Sequence, residues 1–333
     1  MNRIARVSQK TFFIIWLLFI TAILFEIGVR FWGYSEHYIY DPIYKEFEET
    51  TDIPYIHKPN LVKARGRGLA IVNTDTLGLR SKVTGIKYSP KKKNEYRIVI
   101  LGNSVTFGEG IKKAEDTFAQ VLEDTLNLKQ HTLSIKVFNY GVSAYSVKEM
   151  VATLQYRALD VEPDLVLMTI IPDDLNIERT VVLDKFGYTF NKSLSGFMAK
   201  NSIVKRLLRE VRLAYLLRDI RYFLSSRNRN MKHTLLTNMS ESYNYIKKFK
   251  EIANEHNLSY AVVLLPSLIA TFKNLPLRFN EDKIVFIDLS FLSNEFTRNQ
   301  FMAGKFDGHP SAMVHRRIGK ILSEYIIRYQ LRN

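Results

Sequence analysis

The chain has 333 residues, of which 46% are hydrophobic and 24% charged, and this composition excludes a disordered or collagen-like protein. It contains no cysteine, which excludes disulfide bonds, thiolate metal sites and cysteine nucleophiles. With 48 lysines and arginines against 33 acidic residues, the net charge is +15. Such a balance favours either nucleic acid or an anionic membrane surface as a partner, and the position of the charges decides between them.

The N-terminal part of the chain is strongly apolar. Residues 11–25 contain no charged side chain, and continuing the stretch to Trp32 gives about 20 residues, the length of a membrane-spanning helix. Basic residues dominate before the stretch and acidic residues dominate after it. By the positive-inside rule, residues 1–10 are predicted to be cytoplasmic, residues 11–32 to form a single-pass anchor, and the remaining chain to lie outside the cytoplasmic membrane, in the periplasm or extracellularly.

Two other interpretations compete with an uncleaved anchor. A cleaved signal peptide has a similar basic start and apolar run, but no A-x-A-like cleavage site is found near residues 25–36. A buried core helix is disfavoured because the segment is apolar on all sides. The anchor and the signal peptide both place the remaining chain outside the cytoplasm.

Strands and helices alternate from residue 96 onward. The predicted strands are Arg97–Leu101, Ser134–Tyr140, Pro163–Ile171, Ser259–Leu265 and Lys283–Leu289. Helical patterns occur near residues 116–128, 146–159, 240–256 and 311–329. The alternation predicts a three-layer α/β/α sandwich with a mostly parallel five-stranded sheet over residues 96–330. A membrane-proximal segment, residues 33–95, precedes this domain, and a basic helical insertion at about residues 175–235 interrupts it.

Polar residues and glycines follow the first three predicted strands. The first strand leads into Gly102–Gly108, the second into Asn139–Ser143 and the third into Pro172–Leu175, while Asp307–Pro310 precedes the last helix. Ligands of open α/β sheets bind at the carboxyl ends of the strands. These segments are therefore expected to form one site.

A serine, a histidine and an aspartate in these segments are the parts of a nucleophilic site. Ser104 needs a base to remove its proton, His309 supplies one, and Asp307 is placed to orient that histidine. Gly141 has no Cβ, so its backbone N–H can approach a developing oxyanion. A phosphate-binding loop is disfavoured because the lysine of that motif is absent, and the spacing differs from the G-x-S-x-G elbow of α/β-hydrolases.

Taken in order, LGNSVTFGEG, NYGVSAYS, PDDL and DGHPSAMVHRRIG resemble the four motif blocks of the SGNH/GDSL hydrolases. VNTDTLGLRS resembles a segment found upstream of them in membrane-anchored members. The resemblance covers roughly residues 70–328. It implies a flavodoxin-like fold and an esterase-type mechanism, with Ser104 as nucleophile, His309 as base, Asp307 as its orienting group, and the backbone N–H groups of Ser104 and Gly141 as oxyanion donors.

Two positions depart from the family pattern. Asn103 replaces the usual aspartate of the first block, and Asp173 stands where the third block usually provides an asparagine as the third oxyanion donor. An ionised carboxylate repels an oxyanion, and loss of one donor costs on the order of 10²–10³ in rate. One hypothesis is that the two residues are exchanged, so that Asn103 donates near the site or burial keeps Asp173 protonated. Asn103 and Tyr140 are further candidates for lining the site.

Over half of the net charge lies in one part of the chain. Between Lys200 and Lys232 there are ten basic and two acidic residues, a net charge of +8. The predicted helix 202–224 also has an apolar side, so it is interpreted either as an interfacial helix on anionic headgroups or as a lid over the site. Nucleic acid is disfavoured as a partner because no known binding motif accompanies the charge.

Together these features predict a membrane-anchored serine esterase. Its expected substrate is an O-acylated saccharide of the cell envelope or a similar small ester, an expectation that rests on the resemblance and the topology. An acyl-enzyme on Ser104 needs no cofactor, and the histidine spacing indicates no metal site. Two alternatives stay open: an O-acyltransferase with the same three residues, and an inactive binding protein in which Asp173 has abolished catalysis.

Overall fold

The computed structural model describes residues 2–34, 36–178, 181–191, 210–226 and 239–331. The described residues form two compact units. The first contains the residues up to Ile39 together with 210–226, and the second contains the described residues from Tyr40 to Asn191 and from Met239 onward.

The helices of the described residues agree with the predicted alternation. They are α1 (Asn2–Phe31), α2 (Ser104–Phe107), α3 (Phe118–Lys129), α4 (Val147–Thr153), α5 (Arg212–Ser226), α6 (Met239–Glu255), α7 (Leu275–Glu281), α8 (Arg298–Phe301) and α9 (Ala312–Tyr329). The predicted helix 146–159 is α-helical only to Thr153, because the chain continues through a π-helical turn and then a 3-10 turn that ends at Val161.

A five-stranded sheet forms the centre of the second unit. Its strands are β1 (Glu95–Gly102), β2 (Ser134–Gly141), β3 (Leu165–Ile170), β4 (Ser259–Leu264) and β5 (Phe286–Asp288). They lie in the order β2-β1-β3-β4-β5, and every neighbouring pair is parallel. This is the flavodoxin-like order, in which ligands bind where the strand order reverses, between β1 and β3. The predicted parallel α/β architecture is confirmed.

Alternate residues of the strands face opposite layers of helices. On one face Val99 and Leu101 pack in a core that includes side chains of α4 and α6. On the other face Ile98 and Ile100 pack with side chains of α3 and α9. All four side chains are fully buried, and each such burial contributes roughly 1.5–3 kcal/mol. The three-layer α/β/α sandwich is therefore confirmed.

The residues between Tyr40 and the sheet belong to the second unit as well, although the sequence pattern predicts a separate membrane-proximal segment up to residue 95. They form short antiparallel pairings, namely Tyr44–Lys45 with Ile56–His57, and a small sheet of Ala64–Arg65, Ile71–Thr74 and Arg80–Ser81. A tyrosine-rich cluster attaches them to the loop after β2. In it Tyr55 donates a hydrogen bond to the Ser143 carbonyl, and Tyr145 donates to the Tyr55 carbonyl.

Two further strand pairs complete the second unit. They are Val181–Leu183 with Thr189–Asn191, and Met302–Gly304 with Asp307–Pro310, both antiparallel. The second of these hairpins leads directly into α9 and contains two of the predicted site residues.

The first unit consists largely of α1 and α5. Residues Gln9–Phe31 of α1 are long and apolar enough to cross a membrane, and 6% of the most apolar window is buried in the structure. Such low burial disfavours the core-helix interpretation. The predicted helix 202–224 is observed as α5 from Arg212 onward, and residues 202–209 lie outside the described part of the chain.

Candidate functional site

Ser104 lies at a sharp junction between a strand and a short helix. β1 ends at Gly102, Asn103 caps α2 by accepting a hydrogen bond from the Val105 N–H, and Ser104 is the first residue of α2. A Cβ on Gly102 would lie 1.9 Å from Thr106 Oγ1, so only glycine fits there. The junction places the Ser104 side chain at the carboxyl end of the sheet.

The structure brings the three predicted side chains together. His309 Nε2 lies 2.9 Å from Ser104 Oγ, and His309 Nδ1 lies 2.6 Å from Asp307 Oδ1. The His309 backbone N–H also donates to Asp307 Oδ1, at 3.1 Å. Residues 205 positions apart in the sequence thus form one hydrogen-bonded chain. This arrangement can move a proton from the serine to the imidazole while the carboxylate orients the ring.

Two glycines leave room for the Asp307 carboxylate. A Cβ on Gly110 would lie 2.7 Å from Asp307 Oδ2, and a Cβ on Gly68 would lie 3.1 Å from the same atom. Both glycines have a positive φ, +77° and +65°, a conformation that other residues adopt at a cost. Gly110, the last residue of the LGNSVTFGEG block, therefore shapes the pocket of Asp307.

The surroundings of His309 raise its pKa above the ordinary value. Burial lowers this pKa, but the hydrogen bond to Asp307 and the negative charges of Glu109 and Asp307 outweigh burial, while the charge of Arg67 opposes them. A raised pKa makes the imidazole a stronger base. The electrostatics are thus those of a proton acceptor.

Sequence reasoning missed a second carboxylate beside His309. Glu109 Oε2 lies 3.5 Å from His309 Nε2, and the Glu109 side chain is only 3% exposed. Ser143 Oγ donates a hydrogen bond to Glu109 Oε1, and Arg67 Nε lies 3.5 Å from that oxygen. Glu109 lies in the same motif block as Ser104, so the sequence could have indicated it. Arg67 could not be recognised in this way, because it lies 42 residues before Glu109 in the chain.

Arg80 connects the upstream VNTDTLGLRS segment to the loop that follows α2. Its Nη1 donates to the carbonyls of Phe107 and Gly108, at 3.2 and 2.5 Å, and its Nη2 donates to the carbonyl of Ile111 at 2.5 Å. Burial lowers the pKa of Arg80 to about 10, so the guanidinium stays charged at neutral pH. The segment therefore holds the backbone that follows Ser104.

Gly141 lies directly against α2. A Cβ there would be 2.4 Å from the Phe107 nitrogen, so a larger residue would displace α2. The Gly141 N–H donates to Asn139 Oδ1 at 3.0 Å. The predicted oxyanion role of this N–H stays a prediction, and in the structure the amide has a side-chain partner.

The proposed exchange between Asn103 and Asp173 is not what the structure contains. Asn103 Nδ2 donates to both carboxylate oxygens of Asp174, at 2.7 Å each, and its Oδ1 caps α2. The Asn103 side chain is therefore fully used away from Ser104, and the hypothesis that it donates at the site is corrected. Asp174 also accepts from the Ile171 N–H, so this pair joins the first and third motif blocks.

Asp173 and Tyr140 differ from expectation in their exposure. Asp173 is exposed, so the structure does not contain the buried Asp173 side chain that this part of the hypothesis requires. Tyr140 is 2% exposed and belongs to the core on one face of the sheet. It is thus a core residue and does not line an open site.

His315 packs inside the second unit. It is fully buried, its Nδ1 accepts a hydrogen bond from the Phe118 N–H at 3.1 Å, and its ring stacks on that of Phe118. Burial lowers its pKa to about 3. In the part of the chain that the structure describes, no three histidine or carboxylate side chains are grouped as metal ligands would be.

No protein-family model matches the sequence, and the comparison with curated proteins finds no match. Several solved structures do match. A lipolytic protein of the G-D-S-L family from Desulfitobacterium hafniense is 13% identical over 68% of this chain and 98% of its own, with a TM-score of 0.42. A family 3 carbohydrate esterase from Clostridium thermocellum is 17% identical over 70% of this chain and 96% of its own, with a TM-score of 0.43.

A two-domain esterase active on acetylated mannans, crystallised with mannopentaose, is also similar. It is 12% identical over 72% of this chain and 50% of its own, with a TM-score of 0.45. These three solved structures are thus a GDSL-family lipolytic protein and two carbohydrate esterases.

Proposed function

We propose that this chain is a serine ester hydrolase of the SGNH/GDSL type. Ser104 is the nucleophile, His309 the general base and Asp307 the residue that orients it. One observation carries the proposal: the hydrogen-bonded chain from Ser104 through His309 to Asp307, with distances of 2.9 and 2.6 Å. These are the contacts that an activated serine requires.

The reaction proceeds through an acyl-enzyme. His309 Nε2 takes the proton of Ser104 Oγ as this oxygen attacks the ester carbonyl carbon, and Asp307 stabilises the imidazolium that forms. The tetrahedral intermediate collapses when His309 returns the proton to the leaving alcohol. His309 then takes a proton from water as the water oxygen attacks the acyl carbon. When this second tetrahedral intermediate collapses, His309 returns the proton to Ser104 Oγ and the acid is released. No cofactor takes part.

The oxyanion is stabilised by backbone donors. As the first residue of α2, Ser104 has an N–H without a partner inside the helix, and it is the first donor. Gly141 is the second proposed donor, once its N–H turns from Asn139 toward the oxyanion. Asp173 occupies the third position as an exposed carboxylate, which donates nothing when ionised.

The substrate class is an O-acylated saccharide of the cell envelope or a similar small ester. This assignment rests on the motif resemblance and on the proposed location outside the cytoplasm. If a sugar hydroxyl replaces water in the second step, the same three residues catalyse O-acyl transfer. Product analysis with and without a saccharide acceptor distinguishes the two reactions.

Asp173 also supports a second candidate function, that of an inactive binding protein. Loss of one oxyanion donor costs on the order of 10²–10³ in rate, and an exposed carboxylate at that position adds repulsion. The preserved contacts between Ser104, His309 and Asp307 favour the enzyme instead, because a binding protein has no need of them.

A fluorophosphonate probe separates the enzyme from the binding protein. Such probes phosphonylate activated serines with loss of fluoride, and mass spectrometry locates the label. We expect labelling at Ser104 in the full chain and its loss in His309→Ala. A folded chain that is never labelled at Ser104 would be evidence for the binding protein.

For location, we propose that α1 is an uncleaved membrane anchor with its N-terminus in the cytoplasm. The length of Gln9–Phe31 and the mean hydropathy of its most apolar 18-residue window, 2.5, support a membrane span, and the basic residues that precede it support this orientation. Alkaline phosphatase fused after Asn333 should be active, and green fluorescent protein fused at the same position should not fluoresce. The reverse result would overturn the proposed orientation.

We also propose that α5 lies on the membrane surface beside the end of α1. Glu26 accepts hydrogen bonds from the backbone N–H groups of Arg212 and Leu213, at 3.0 and 2.8 Å, so it caps the first turn of α5. On the exposed side, Leu217 is 58% and Ile220 47% exposed. Apolar side chains on a basic helix that is held at the end of a membrane span suit an anionic headgroup layer.

The membrane contact of α5 is tested in reconstituted vesicles. In a chain in which phenylalanine replaces Trp16 and Trp32, tryptophan substituted for Leu217 should show blue-shifted fluorescence that brominated lipids quench, and the quenching should weaken when anionic lipid is omitted. Tryptophan at Tyr215, which stacks on Tyr38, is the matched control inside the unit. Equal quenching at both positions would contradict the proposed orientation of α5.

A further inference from the structure

We propose that the ion pair of Arg67 and Glu109 sets the basicity of His309. Both are positioning residues, because they act on the reaction through the imidazole. The proposal rests on the proposed esterase function and deepens it. It assigns a role to two residues that lie outside the Ser104, His309 and Asp307 set.

Glu109 is fixed at the reactive side of the imidazole. Its Oε2 lies 3.5 Å from His309 Nε2, the nitrogen that also faces Ser104 Oγ. Its other oxygen accepts the hydrogen bond of Ser143. A carboxylate held this close stabilises the imidazolium that forms whenever His309 takes a proton.

Arg67 is fixed in turn beside Glu109. Its Nε lies 3.5 Å from Glu109 Oε1, its guanidinium lies over the ring of Tyr40 at 4.6 Å, and its Nη2 donates to Thr189 Oγ1 at 3.3 Å. Opposite charges thus face the same imidazole from adjacent positions. Arg67 limits the effect of Glu109, since the positive charge of the guanidinium disfavours a positive charge on the nearby His309.

The charged groups that face His309 divide into two sets. Asp307 contacts Nδ1 and is part of the proposed triad. Glu109 and Arg67 lie together on the Nε2 side and act with opposite signs, the former raising and the latter lowering the pKa of His309. A base must be strong enough to accept a proton and yet unprotonated at the working pH. The ion pair adjusts this balance.

The test is the pH dependence of Ser104 labelling by the fluorophosphonate probe, measured with the full chain in detergent. Labelling requires neutral His309, so its rate falls on the acid side with a midpoint at the pKa of His309. Glu109→Gln should move this midpoint to lower pH by about 1 pH unit. Glu109→Asp, which keeps the charge, should move it less.

Arg67 provides an independent arm with the opposite sign. Arg67→Gln should move the midpoint to higher pH, and Arg67→Lys should leave it near that of the original chain. A purely structural role would lower the labelling rate at every pH without such opposed shifts. The two arms also keep the test decisive if one glutamine variant fails to fold.

Three results would overturn the proposal. These are an unmoved midpoint in folded Glu109→Gln, an unmoved midpoint in folded Arg67→Gln, and shifts of both variants in one direction. Failure of the proposed esterase function has a different signature: the original chain is not labelled at Ser104 at any pH, and there is then no midpoint to set.

Discussion

His309 and His315 lie six residues apart and have opposite electrostatics. His309, on the hairpin before α9, contacts Asp307 and Glu109, and its pKa is raised. His315, inside α9, is buried against Phe118, and its pKa is lowered to about 3. Burial lowers the pKa of both. The difference therefore comes from Asp307 and Glu109, which act on His309, whereas no carboxylate shifts the pKa of His315.

The comparison shows what turns a buried histidine into a base. Without a carboxylate, the cost of desolvating the imidazolium keeps His315 neutral, and its role is to accept the hydrogen bond of the Phe118 N–H. With two carboxylates, His309 gains a proton more easily than in water. The predictions below remove or extend this difference.

The largest expected effect comes from making His309 resemble His315. In Asp307→Asn the negative charge at Nδ1 is lost and the amide can stabilise the wrong tautomer, as in the serine protease case, where the rate falls about 10⁴-fold. We expect a similar loss in the rate of Ser104 labelling at pH 7, with the thermal unfolding temperature little changed. A loss below tenfold would show that Asp307 does not orient His309.

Removing the carboxylate of Asp173, at the proposed oxyanion, should raise the rate, whereas removing that of Asp307 lowers it. Asp173→Asn replaces an exposed negative charge near the proposed oxyanion by a possible donor. We expect esterase activity on a small acetyl ester to rise, by up to about 10²-fold. Asp160→Asn, a change of the same charge on the 3-10 turn before β3, is the control. An unchanged rate in Asp173→Asn would place this side chain away from the oxyanion.

The fold was predictable from the sequence because its signals are local. β-branched runs alternate with amphipathic helices, and the observed strands lie within two or three residues of the predicted ones, for example Leu165–Ile170 inside Pro163–Ile171. The residues Ser104, His309 and Asp307 were identifiable because each lies in a short motif. Local pattern is sufficient where a residue's role depends on its neighbours in the chain.

The rest of the site depends on contacts between distant segments. Arg67 contacts Glu109 and Arg80 contacts Gly108 only after the upstream loops pack on the part of the second unit that contains the five-stranded sheet. No spacing in the sequence predicts these contacts. The pairing of Asn103 with Asp174 in place of Asp173 likewise depends on which of two adjacent carboxylates turns inward. One-residue differences of this kind follow from tertiary packing.

The neutral state of His315 should make the protein sensitive to acid. Its pKa is about 3 when folded against an ordinary value of 6.5, so below pH 6.5 the unfolded chain binds a proton that the folded chain does not. Stability is therefore lost as pH falls from 6.5 toward 3, by about 2 kcal/mol for this residue at pH 5.

Urea unfolding of the full chain in detergent at pH 7.5 and pH 5 measures this loss. In His315→Asn the difference between the two pH values should shrink by that amount, and the exposed His131→Asn is the matched control. Part of the acid sensitivity should persist in His315→Asn, because His57 is buried with a pKa of about 3 as well. An undiminished difference in His315→Asn would mean that this residue takes up a proton without unfolding.

The smallest effect is expected from a single methyl group beside Asp307. In Gly110→Ala the new Cβ would lie 2.7 Å from Asp307 Oδ2 and from Ala303 Cβ, at a φ of +77°, so the Asp307 carboxylate must shift from the position in which it bonds His309. We expect the rate of Ser104 labelling to fall about tenfold, since small displacements in such a site are costly. Gly308→Ala adds the same methyl where nothing lies within 4 Å, and it should leave the rate unchanged. Equal rates in the two variants would mean that the position of Asp307 tolerates displacement, and the contrast between His309 and His315 would then depend on charge alone.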